Sequence, residues 1–76
     1  MNNEELYALV RSLPVSNYKD HGPLVKFSDI ITACRLRGAD DTKALKASLR
    51  QLEAEGLLTV VVSTTFEELF TGVKVH

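Results

Sequence analysis

The stretch LKASLRQLEAEGLLTVVV, Leu45 to Val62, decides the fold. Leu45, Leu49 and Leu52 recur at spacings of four and three, which gathers them into one stripe along an α-helix. Gly56 stands where such a helix is expected to close in the left-handed conformation that glycine adopts without strain. The residues after it, LLTVVV, are apolar and β-branched and belong to a strand. A helix therefore runs into a strand at a definable residue. What the face opposite the leucines does is the question that the rest of the chain must answer.

Working back towards the start, Leu6, Leu9, Val10 and Leu13 share one helical face, with Asn2 as N-cap, Glu4 and Glu5 in the first turn and Pro14 as the stop. VSNYKDHGP, residues 15–23, collects turn formers and reads as a surface connection. A short extended piece is expected near 24–27, followed by a second helix capped by Ser28 and ending near Gly38, with Ile30, Ala33 and Cys34 inward. Asp40, Asp41 or Thr42 caps the third helix, at about 42–55. Working forward, two antiparallel strands are expected, joined by a loop of about four or five residues around Ser63 to Glu67, the second alternating at Leu69, Thr71, Val73 and Val75. The spacing thus predicts an α+β fold in a single domain, 1–76, with no repeat and no low-complexity tract.

Composition narrows the function classes. The 76 residues are 45% hydrophobic and 25% charged, an ordinary folded profile with a net charge of −1 and no overall basic excess. A domain of this size buries only about 60% of its unfolded surface. Cys34 is the single cysteine, which excludes a disulfide framework and fits a reducing, cytoplasmic setting. Neither a signal-like start nor an apolar run of membrane-spanning length occurs, so no membrane association is expected.

The order of elements and the pattern L-x-x-x-L-x-x-L-x-x-x-G-L-L, from Leu45 to Leu58, resemble the winged helix-turn-helix superfamily over nearly the whole chain. The resemblance implies a three-helix bundle with a C-terminal β-hairpin wing, and a third helix that enters the major groove of double-stranded DNA. At about 100° per residue, Lys43, Lys46, Ala47, Arg50 and Ala54 fall opposite the leucine stripe, with Gln51 at the margin. Lysine and arginine there would reach phosphates or guanine edges, and alanine would permit close approach. Arg35 and Arg37 would flank them, so that residues 35–50 carry five basic side chains against Asp40 and Asp41. Thr42, Lys43, Lys46, Ala47, Arg50, Gln51, Arg35 and Arg37 are accordingly the expected DNA contacts of a small transcriptional regulator.

The hairpin supports a different reading. Where the resemblance leads one to expect basic residues near the wing tip, this chain has Ser63, Thr64, Thr65, Glu67 and Glu68, and carboxylates repel a phosphate backbone. Phe66 and Phe70 beside Glu67 and Glu68 would form an aromatic anchor with a charged rim if exposed, a protein interface, and core packing if buried. A free edge of the wing could also pair with a second copy to build a homodimer. An enzyme is not expected. His21 and His76 lack partners at metal-ligand spacing, the acidic pairs 40–41 and 67–68 are adjacent rather than opposed, and Cys34 has no activating neighbour, so neither cofactor nor metal is implied.

Overall fold

Capping chemistry sets the helix boundaries in the computed structural model, which describes residues 1–66 and 69–76. Helix α1, Asn3–Ser12, starts at Asn2, whose side-chain oxygen accepts the Glu5 N–H at 2.8 Å. It ends as Leu13 turns extended ahead of Pro14, the residue before a proline being barred from helical backbone. Helix α3, Thr42–Ala54, starts at Asp41, whose carboxylate accepts the Ala44 N–H at 3.1 Å. It ends at Gly56, with φ at +79°, while the Leu57 N–H returns to the Leu52 carbonyl at 3.1 Å. Helix α2, Phe27–Leu36, departs from expectation: Ser28 lies inside it, and its N-cap is Lys26, which offers no side-chain bond. Burial of Phe27 accounts for the shift, because drawing that ring into the core starts the helix directly from the preceding strand.

That strand belongs to a hairpin where a plain connection was expected. Strands β1, Ser16–Tyr18, and β2, Gly22–Lys26, pair antiparallel, with Ser16 opposite Leu24 and Tyr18 opposite Gly22. The extended piece expected near 24–27 is β2, and Phe27 belongs to the helix. Two further strands, β3, Leu58–Val62, and β4, Phe70–Val75, complete a four-stranded antiparallel sheet in the order β1-β2-β4-β3. The last strand therefore sits inside the sheet, with Val73 between Val25 and Val60. The expected C-terminal hairpin is present, but its second strand is shared with β2, so the edge it leaves open is β3 and not the C-terminal strand.

A bulge in β4 corrects the expected alternation. Val61 lies opposite Gly72 and Val62 opposite Phe70, so Thr71 is the extra residue. Past it, Phe70 joins Val73 and Val75 against the core, and Leu69 becomes 56% exposed. Strand β3 ends at Val62 and β4 begins at Phe70, farther apart than expected, and the Ser63 N–H reaches the Leu69 carbonyl at 2.8 Å.

The core lies between the helices and one face of the sheet. Leu6, Leu9 and Val10 of α1, Phe27, Ile30 and Cys34 of α2, and Leu49 and Leu52 of α3 meet Val25, Leu58, Val60 and Val73. Leu24 is equally buried but stands apart from that cluster, over Gly72. A β-carbon at Gly72 would run into the Leu24 methyl and the Val25 carbonyl. Gly72→Ala should therefore lower unfolding stability by about 2 kcal/mol, as overpacking does, measured by urea denaturation; an unchanged midpoint would contradict this account of the Leu24 seat.

Candidate nucleic-acid interface

Helix α3 presents three surfaces. Its inner face buries Leu49 and Leu52 and half-buries Leu45. Lys43, Ala47, Arg50 and Ala54 are exposed opposite, and Thr42, at the first turn, is half-buried. Lys46 departs from the outward placement expected of it. It lies about 90° from the leucine stripe on a helical wheel and is half-buried, with its ammonium 5.4 Å from the centre of the Phe70 ring.

Phe70 organises the flank that faces the sheet. Its ring packs at 52° on Phe27 with centroids 5.2 Å apart, and the Arg50 guanidinium carbon lies 5.2 Å from its centre. Lys46 and Arg50, four residues apart, thus hold cations over one aromatic ring. The bulge at Thr71 is what turns the ring towards them. In the regular alternation, Phe70 would have pointed away from the helices.

Glu53 extends the same flank and is a residue that sequence reading missed. One carboxylate oxygen accepts from Arg50 at 2.9 Å, and the other accepts the Val60 N–H at 2.9 Å. Val60 belongs to the edge strand, so the carboxylate ties α3 to β3. The Val60 hydrogen bond holds the Glu53 carboxyl below its ordinary range, partial burial opposes this, and the Arg50 charge adds to it. The i, i+3 relation between Arg50 and Glu53 was readable. The bond to a strand seven residues on was not.

The remaining expected contacts are spread around this centre. Arg35 and Arg37 are exposed at the end of α2, on either side of Leu36, which is 85% exposed. Gln51 is exposed, but its side-chain oxygen accepts from Asn3 at 2.8 Å and so ties α3 to α1. Of the two aspartates between the helices, Asp41 is engaged as the α3 cap.

In the hairpin, Phe66 is 58% exposed whereas Phe70 is half-buried, so the two aromatics have separate roles. The Ser63 hydroxyl accepts the backbone N–H groups of Thr65 and Phe66 at 3.2 and 3.4 Å. Glu67 and Glu68 lie outside the described residues.

Elsewhere, His21 is half-buried beside the Tyr18 ring, and the His76 ring contacts the Thr59 hydroxyl. Cys34, with its thiol, is one of the residues lining a cleft of about 250 Å³, together with Met1, Leu6, Ala39 and Ala44. Burial pushes that thiol up, against the pull of Arg37 and the N-terminal ammonium. Among the described residues, no three metal-ligating side chains converge, and no helix is long and apolar enough to cross a membrane.

Because folding lowers the Glu53 pKa, its contribution to stability is complete above the ordinary value near 4.5 and is lost as the pH falls below it. Glu53→Ala should cost about 1.5–3 kcal/mol at neutral pH, the range for hydrogen bonds to charged groups. The deficit should shrink in acid, which denaturation curves at pH 7 and pH 3 would show. A pH-independent deficit would remove the carboxylate from the explanation.

Set beside known proteins, the chain matches no family model, no curated protein and no solved structure.

Proposed function

We propose that this α+β domain is a winged helix-turn-helix that binds double-stranded DNA through α3, acting as a small cytoplasmic regulator of transcription. One observation carries the reading. Between Thr42 and Leu52 the helix holds Lys43, Lys46 and Arg50 and no carboxylate, and its one acid, Glu53, is bound by one oxygen to the edge of β3 and by the other to Arg50. The exposed residues Lys43, Ala47 and Arg50 combine charge with small bulk, which suits approach to a phosphate-lined groove. Two features of the architecture support it. The chain reverses from α3 into β3 at Gly56, and a strand from between the first two helices joins the hairpin. Arg35 and Arg37, exposed at the end of α2, extend the basic surface towards flanking phosphates.

A second reading rests on the hairpin. Phe66 and Leu69 are both more than half exposed, an apolar pair of the kind that anchors protein interfaces. In that case the hairpin would meet a protein partner and the basic helix would only be solvated.

Titration of a random-sequence duplex at 50 mM and 200 mM salt separates the two. DNA binding through α3 should weaken steeply with salt, and exchanging Lys43 and Arg37 for glutamate should lower affinity at least tenfold and flatten the log–log salt slope by about 0.9 per lost phosphate contact. Both side chains are exposed, so thermal stability should hardly move. Absence of binding at 50 mM salt would sink the DNA reading. Salt-insensitive self-association abolished by Phe66→Ser with Leu69→Ser would favour the hairpin.

A further inference from the structure

We infer that Glu53 is a built-in brake on the DNA affinity of α3, a positioning residue that competes with phosphate for Arg50. The inference rests on the DNA reading above and adds to it the control of one contact. Surface ion pairs three residues apart are ordinarily weak, because both side chains must be immobilised to form them. Here half of that cost is already met. The Glu53 carboxylate is held by the Val60 N–H at 2.9 Å, so its second oxygen stays beside Arg50, also at 2.9 Å.

Arg50 is constrained from another side as well, its guanidinium lying 5.2 Å from the centre of the Phe70 ring. Its side chain nevertheless remains 49% exposed, open to a ligand from solvent. A phosphate arriving at α3 therefore meets a cation that is correctly placed but shared with an internal anion. Guanidinium has five donors, so it can exchange partners without leaving the ring. The carboxylate stays bonded to β3 in either case, and the latch between helix and edge strand survives the exchange. The side chain that steadies the fold thus also holds down the charge available at the surface.

Glu53→Gln tests this, because its amide oxygen can still accept the Val60 N–H while its charge is gone. Duplex affinity at 50 mM salt should rise about fivefold, the scale of a unit-charge interaction at contact distance in water. Glu55→Gln is the control: it removes the same charge from the exposed residue at the end of α3, which has no part in the Arg50 pair. Its gain should be much smaller, and the Glu53→Gln gain should vanish when Arg50→Gln is added. Equal gains from the two variants, or a gain that survives loss of Arg50, would overturn the brake while leaving the DNA reading intact. No duplex binding by the wild type or by Glu53→Gln would overturn both. Should Glu53→Gln fail to fold, NMR of the wild type during the titration decides: the Arg50 guanidinium signals should shift while the Val60 amide stays fixed, and static guanidinium signals would count against the brake.

Discussion

Burial of Leu49 and Leu52 beneath α3 is the constraint from which the other placements follow. A helix of 13 residues is marginal in water, and the leucine stripe supplies what the isolated segment lacks. Fully burying each leucine contributes about 1.5–3 kcal/mol. Once the stripe is seated among α1, α2 and the sheet, the rotation of the helix is fixed, and with it the identity of every exposed side chain. Lys43 and Ala47 are consigned to solvent, Lys46 and Glu53 to the flank over the sheet with the half-exposed Arg50 beside them, and Gln51 to the side of α1. Gly56 then reverses the chain so that β3 returns along the helix. That return brings the Val60 N–H within reach of Glu53.

The sheet adds a second constraint through β4. Because this strand is paired on both sides, its two edges must keep register with β2 and β3 together. Gly72 yields space to Leu24, and Thr71 breaks the register so that Phe70 can join Phe27. The aromatic platform beneath Lys46 and Arg50 is thus a product of strand irregularity, and the cationic flank of α3 depends on a residue more than twenty positions away.

Much of the architecture was legible because it is written in local chemistry. The caps at Asn2 and Asp41, the glycine ends at Gly38 and Gly56, the break before Pro14 and the leucine stripe each act within a few residues. The misses arise where distant pairing prevails. Ser16 to Tyr18 form a strand through their partners in β2, since three polar residues carry no alternation of their own. Ser28 lost its cap role to the burial of Phe27. The site divides along the same line: helix periodicity placed Lys43, Ala47 and Arg50 outward, whereas the half-burial of Lys46 and the bond from Glu53 to Val60 needed the position of the sheet.

The interior place of β4 also bears on how the molecule is made. Residues 70–75 follow the three helices, the first hairpin and β3 along the chain, and without them β2 and β3 have no strand between them. Until that strand inserts, the edges that carry Val25 and Val60 stand open and the hydrophobic interior lacks its central rib. Insertion of that rib joins positions far apart in the chain, the type of closure that is slow and that leaves intermediates vulnerable to misassociation. Closing the sheet thus waits on one non-local insertion, whereas the helices form from contacts within a few residues.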